Sequence, residues 1–514
     1  MRGSDPVVCP ALPLDGVDRL ALAYLLLPLG IFVASWFEIG AALPLLGCLA
    51  YSIKGVILPS RIDRSTGAPP APTRTHLSIA IVIACAWTAC GGTGHLVFAN
   101  ADWHVRDAVL HDLVATPWPV GYPAPDGAVR LLRAPLGFYL PAALVGKWGG
   151  LTAAHAAMAA WTAAGATLFL LQVLSHIPSR LGSTLMAAAV IVLFSGLDVV
   201  GTLLHSPGAA AHWDVTWHLE WWAERYQYSS MTTQLFWVPN HALCGWVATG
   251  LLMRSPRRAI EPMLPIVIVG VALWSPLTAL GLVPFALLRA GESMRRSLEL
   301  AHPRVWLPAA IIGLAVAAYL TLDSSRIPRS WTVGSGGNVL SDLSRQAEFF
   351  VLEAGFVGGA ILALRSSCAV VLALVILALL PLVSFGEAND FAMRASIPSL
   401  TVLAMAAAGA LAAPAASAAG HAKKMLLGAL LALGAVTPFQ EFARAAVLAR
   451  WPINAHATLI DAACGRYPPH YVALADGQPI VRLLRPPHPL SSDPLGASAC
   501  ENPAIEIQRE RQNK

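Results

Sequence analysis

Runs of apolar residues long enough to cross a lipid bilayer recur along most of this chain, for example at 77–98, 152–175, 183–204 and 397–414. A helix needs about 20 such residues to cover a hydrocarbon layer of about 30 Å. Only 12% of the 514 residues are charged and 56% are hydrophobic, whereas a soluble domain carries roughly 25% charged residues. The alternating ten-residue pattern of a membrane barrel is missing. These facts point to one class, an all-α polytopic membrane protein whose main solvent is the lipid bilayer.

Lys and Arg concentrate on the cytoplasmic side of membrane proteins, so basic residues assign the loops. Residues 1–19 read as a cytoplasmic tail, followed by an uncleaved hairpin, 20–36 and 39–57. Arg61, Arg64 and Arg74 mark the next loop as cytoplasmic. The run 77–98 then leads outward to a polar segment, 99–133, and 134–146 reads as a short interfacial or re-entrant piece. Run 152–175 returns, 183–204 leaves, and 236–253 comes back to Arg254. Residues 262–290, broken at Trp274-Ser-Pro276, form a hairpin with basic flanks on both sides. Runs 306–322, 349–364, 368–384, 397–414 and 425–442 complete about thirteen crossings. The N-terminus is then cytoplasmic and the C-terminus periplasmic. Three parts follow: an N-terminal hairpin and loop (1–76), a transmembrane module (77–442) with outer loops 99–151, 205–235, 323–347 and 385–396, and a periplasmic tail (443–514) with a small β element at 470–485.

Of eight cysteines, six lie in or near apolar runs or at the N-terminus and read as small buried side chains. Cys464 and Cys500 lie in the polar tail, and an oxidising compartment would pair them in a disulfide.

Every outer loop combines carboxylates with aromatics or arginine. The first packs Asp102, His104, Arg106, Asp107, His111 and Asp112 into eleven residues. A carboxylate at a helix mouth, such as Asp102, can act as a base, or hold a divalent cation, Mg or Mn, with Asp107 or Asp112. On a helix, Asp102 and Arg106 share one face while His104, Asp107 and His111 share another. A plain amphipathic surface helix with solvated charges is the alternative. The second loop sets Asp214, His218, Glu220 and Arg225 among Trp213, Trp217, Trp221, Trp222 and Tyr226, with Asn240 and His241 at the next helix start. Tryptophan stacks on sugar rings, and it also populates membrane interfaces without any ligand. The fourth loop carries Glu387, Asn389, Asp390 and Arg394. An arginine on the outer side opposes the positive-inside trend and can bind phosphate bidentately; a structural ion pair with Asp390 is the alternative.

The chain has no phosphate loop, no Gly-x-Gly-x-x-Gly and no His-Glu-x-x-His. Its cytoplasmic loops leave no room for a nucleotide-binding domain, and nothing supports nucleic-acid binding. A donor would have to arrive on a lipid.

Taken together, Asn100-Ala-Asp102-Trp-His-Val-Arg106-Asp107, the Trp118-Pro119 and Tyr122-Pro123 turns, Glu220-Trp-Trp222, Gln234-Leu-Phe-Trp237-Val-Pro-Asn-His241 and Asn389-Asp-Phe-Ala-Met-Arg-Ala-Ser-Ile-Pro398 resemble the GT-C class of bacterial membrane glycosyltransferases, over roughly 77–440. The resemblance implies inverting transfer of a sugar from a polyprenyl-phosphate donor to a cell-envelope glycan or lipid acceptor. Asp102 would be the base, and Arg394, with Arg225 or Arg106, would neutralise the departing phosphate. His104, Asp107, Glu220, Trp221, Trp222, Tyr226, Asn240, His241, Glu387, Asn389 and Asp390 would contact substrate. The chain departs from the class in having a hairpin before the acidic loop and in lacking Trp-Trp-Asp-Tyr-Gly. A glycolipid or polysaccharide transporter (a flippase) and a noncatalytic envelope-assembly protein are the competing readings.

Overall fold

A computed structural model describes residues 14–57, 70–208, 213–255, 260–294, 303–334, 338–386, 389–415, 417–475 and 477–490. It is mostly helical. Among the described residues, seven helices are long and apolar enough to cross a membrane: Gly16–Trp36, Leu140–Leu174, Leu181–His205, Pro303–Leu320, Val339–Leu364, Asp390–Ala412 and Ala418–Val447. Shorter apolar helices, such as Arg74–Cys90 and Pro276–Gly291, pack among them.

Helix α1 (Gly16–Trp36) starts on Asp15, whose carboxylate accepts the Asp18 amide, satisfying one of the orphan donors of a helix N-terminus. It runs almost directly into α2 (Ile39–Ile57). Helix α3 (Arg74–Cys90) is shorter than its apolar run. Gly91-Gly-Thr-Gly94 ends it, because Gly92 and Gly94 adopt positive φ of 78° and 79°, which glycine reaches without steric cost. Asp102 therefore does not sit at the mouth of the helix formed by run 77–98. It opens a separate one, α4 (Asp102–Ala115).

Helix α4 is not the solvated surface helix that its charges allowed. Trp103, Arg106, Asp107 and Asp112 are all buried, and each charged group is paired within the protein, as burial requires. A hairpin follows, β1 (Val120–Pro123) and β2 (Val129–Leu132). The tail supplies β5 (Val472–Leu474) and β6 (His488–Pro489), giving a four-stranded sheet in the order β5-β2-β1-β6, after β3 (Arg329–Trp331) and β4 (Val383–Phe385) have paired in a separate hairpin-like ladder. The tail thus forms the β element expected at 470–485 by completing a sheet begun in the first loop.

Within α5 (Leu140–Leu174) the non-helical Gly150 (φ 77°) sets a short first helix, beginning inside the short piece expected at 134–146, apart from the longer helix that follows. Helices α6 (Leu181–Leu193) and α7 (Asp198–His205) follow the next run, then α8 (Met231–Trp237) and α9 (Pro239–Arg254). The break expected at 274–276 is present: Leu264–Trp274 ends at Ser275, and Pro276–Met294 begins with proline in its first turn, where the missing N–H is harmless. The loop expected to extend to 347 stops at Asn338. That side chain caps Val339–Phe350 by accepting the Leu340 and Ser341 amides, so this helix carries a polar-faced extension beyond its apolar part.

The basic-flanked helix ends meet at one pole. Arg254 Nη1 reaches Asp18 Oδ1 at 2.6 Å, its Nε donates to Ser175 Oγ, and Arg289 donates to the Ser255 carbonyl. The carboxylate- and aromatic-bearing loops meet at the other pole. Between them, Tyr24 stacks on Trp161 with centroids 4.3 Å apart, and Trp87 on Trp246 at 5.3 Å.

Candidate functional site

At the loop-bearing pole, α4 is clamped onto the junction of α8 and α9. Asn100 Nδ2 and Trp103 Nε1 both donate to the Phe236 carbonyl, at 2.7 and 3.0 Å. This seats Arg106 beside that junction. Its guanidinium donates to Asp102 Oδ2 at 2.8 Å, to Asn240 Oδ1 at 3.2 Å and to the Trp237 carbonyl. Burial alone would lower the pKa of Arg106; Asp102, and after it Tyr139 and Tyr471, more than offset this and hold it above its ordinary range. The group is a permanent cation. Asp102 keeps 44% of its side chain exposed, and its Oδ1 meets no donor among the described residues.

A hydrogen-bond chain runs from Arg106 along the wall. Asn240 Nδ2 lies 3.1 Å from His241 Nε2, and His241 Nδ1 lies 2.8 Å from Ser275 Oγ. Ser275 meets Thr278 Oγ1 at 2.7 Å, and Thr278 donates to the Arg394 carbonyl. The helix break at Ser275 is what exposes that hydroxyl to both neighbours. Arg394 pairs with Asp390 at 2.8 Å, the pair anticipated from their spacing. Its Nε is buried and makes no hydrogen bond.

These groups line one cavity of about 770 Å³, within the range of small-molecule sites. Asp102, Arg106, Trp221, Asn240, His241, Asp390 and Arg394 all face it, so the first, second and fourth loops converge as expected. Three arginines (Arg106, Arg133 and Arg394) against two aspartates leave the lining with one net positive charge. Leu277, Leu320, Ile327, Phe385 and Met393 give it an apolar flank.

His218 of the second loop and Gln227 also line the cavity; sequence reasoning missed Arg133, Tyr139 and Tyr471, which line it too. Arg133 shares the signal of Arg394, a cation in a loop assigned to the outer side. Its burial lowers its pKa, and it donates to the carbonyls of Leu320 and Pro469. Tyr471 had no local signal. It arrives from the tail, where the Arg133 amide donates to its carbonyl at 2.7 Å. Burial raises the pKa of its hydroxyl; Arg106 and Arg394 pull it down, and Asp102 and Asp390 push it up. One phenol thus lies within electrostatic reach of both ion pairs.

Several expected contacts fall elsewhere. Asp107 Oδ2 lies 2.7 Å from His95 Nε2 and accepts the Asn454 amide, so it anchors the tail and the Gly91–His95 turn. His104 is buried away from the cavity. Glu220 stands just behind the lining, accepting from Gln227 Nε2 and the Ser230 amide, both at 2.9 Å. Burial, then the charge of Asp198, pushes its pKa up to about 8. Trp222 donates to Glu353 Oε1 at 2.8 Å, and Tyr226 packs on Phe349; both serve the core. Arg225 is exposed off the cavity, and its carbonyl accepts from Asn389 Nδ2. That bond holds Asn389 in its left-handed conformation (φ 54°) at the start of the Asp390–Ala395 helix. Glu387 and Cys500 lie outside the described residues; Cys464 is disulfide-bonded.

Among the described residues, no group of three His, Cys, Asp or Glu side chains is placed to hold a metal ion. Asp102 and Asp390 each already carry an arginine partner. Comparison with family models, with curated proteins and with solved structures yields no match.

Proposed function

We propose that this protein is a GT-C-like membrane glycosyltransferase of the bacterial inner membrane, with about thirteen crossings, which moves a sugar from a polyprenyl-phosphate donor to a glycan or lipid acceptor on the periplasmic face. The observation that carries the reading is the single cavity in which a part-exposed carboxylate, three arginines and an apolar flank meet. A lipid-linked phosphate needs both of the latter features. An acceptor hydroxyl needs the first.

In this reading Oδ1 of Asp102 accepts the proton of the acceptor hydroxyl, while Arg106 fixes the carboxylate through Oδ2. The acceptor oxygen bonds to the anomeric carbon from the face opposite the phosphate. The bond from that carbon to the phosphate oxygen breaks, and its electron pair leaves with the lipid phosphate. Arg394, whose Nε is unpaired, and Arg133 balance that charge. Fixed cations in a water-poor site stabilise developing charge without reorganisation, and the cavity walls supply orientation. Arg225 has no part in this scheme.

The test is complementation of a deletion strain followed by glycolipid profiling. Asp102→Asn should reach the membrane in normal amount yet restore the missing glycoconjugate about 100-fold less than wild type or worse, in keeping with the usual size of general-base effects. Full restoration by Asp102→Asn would remove the catalytic assignment.

A further inference from the structure

The cavity has a second chemical character, at its Trp221 end. The Trp221 indole lies flat on the His218 imidazole, with centroids 4.7 Å apart and planes within 3°. His218 in turn meets the Trp237 ring at 4.9 Å and 63°. Trp237 is locked: its Nε1 donates to Glu441 Oε2 at 2.9 Å, and the Arg444 guanidinium sits 5.2 Å from its ring centre. Trp221 is held on one face only. It remains 59% exposed and lines the cavity. A large indole stacked on one side and open to the cavity on the other is a platform for a flat apolar face.

The platform is uncharged, since burial, reinforced by Arg444, lowers the His218 pKa to about 3. Beside it stands Gln227. Its Nε2 is committed to Glu220 Oε2 and Ser229 Oγ, which turns the amide oxygen into the group left to accept from a ligand hydroxyl. No donor among the described residues takes that oxygen. An open aromatic face, a fixed acceptor and no net charge suit a ring with an apolar C–H face and equatorial hydroxyls. The base also adjoins this end of the cavity: one guanidinium, that of Arg106, bonds both Asp102 and the Trp237 carbonyl. Arg394 and the apolar flank come from other elements.

We infer that Trp221, with His218 beneath it and Gln227 beside it, forms a pyranose subsite that holds the acceptor's sugar ring against Asp102, separate from the phosphate end at Arg394. This rests on the transferase reading for its role, though binding itself does not.

The full chain in nanodiscs, free of sugar-headed detergent, is probed by saturation-transfer NMR with methyl glucopyranoside, galactopyranoside and mannopyranoside. Dodecyl phosphate binding is measured in parallel by calorimetry. At least one pyranoside should bind wild type and Trp221→Phe, and bind Trp221→Ala at least tenfold more weakly, with dodecyl phosphate affinity unchanged in all three. Trp221 is largely exposed, so its loss leaves the core packed. Equal pyranoside binding by Trp221→Ala, or none by wild type, overturns the subsite. Pyranoside binding that needs Trp221 in a protein blind to dodecyl phosphate would keep the subsite and discard the lipid-phosphate donor.

Discussion

Replacing Asp112 by alanine should release the tail from α4. The carboxylate is fully buried. Its Oδ2 accepts the Tyr122 hydroxyl at 2.7 Å and the Leu459 amide at 2.9 Å, and its Oδ1 lies 3.1 Å from His111 Nδ1. One side chain thereby joins α4, β1 and the short tail helix Leu459–Ala462. Alanine leaves the Tyr122 and Leu459 donors buried without an acceptor, at about 1–3 kcal/mol each. Burial already raises the Asp112 pKa, so part of the gain is spent on desolvating the carboxylate. We therefore expect a net loss near 2–3 kcal/mol, at the lower half of the summed range. Asparagine keeps one oxygen for both donors and should lose about 1 kcal/mol. Thermal unfolding in nanodiscs gives the order wild type, Asn, Ala. Trypsin cleavage at Arg466 and Arg482 in the tail should speed up by roughly 30- to 150-fold in Asp112→Ala, the factor that about 2–3 kcal/mol gives for local opening. An unchanged midpoint together with unchanged cleavage would mean that the sheet alone holds the tail, and that the buried carboxylate is not its clasp.

Two further outcomes follow from the packing. Glu220 has a folded pKa of about 8 against an ordinary 4.5, so its contribution to stability is full below about 4.5 and is lost as pH rises through about 8; the wild-type unfolding midpoint should fall across that window, and Glu220→Gln should flatten the fall. At Gly281 a Cβ would overlap the carbonyl oxygen of Ala395, so Gly281→Ala should cost about 1–3 kcal/mol and lower the yield of folded protein, whereas Gly291→Ala, with open space around it, should behave as wild type.

The helical membrane architecture was legible because lipid imposes a long, one-dimensional apolar pattern that any stretch of sequence carries by itself. The break at 274–276 was legible for the same reason, since proline acts locally. Helix ends were not, where glycine or a capping side chain overrode hydropathy. Gly91-Gly-Thr-Gly94 stopped α3 inside an apolar run, and Asn338 began a helix outside one. The site shows the same division. Asp102, Asn240, His241, Asp390 and Arg394 announced themselves as polar groups at helix mouths. Asp107 and Glu220 carried the same signal but serve as a tail anchor and a support for Gln227, because a buried carboxylate needs donors whether or not it meets a substrate. Tyr471 was invisible because the charged groups it faces, Arg106 and Arg394, lie far from it in sequence.

That last contact has a bearing on how the two ends of the fold depend on each other. The tail that brings Tyr471 to the cavity continues to Leu484 and Arg485, where it bridges to Phe37 and donates to the Trp36 and Ala34 carbonyls at the turn between the first two helices. The hairpin of α1 and α2 is thus tied to a segment 451 positions further along the chain. A chain cut before Tyr471 would keep the arginines and Asp102 without the phenol that faces them, and its cavity would lack that wall.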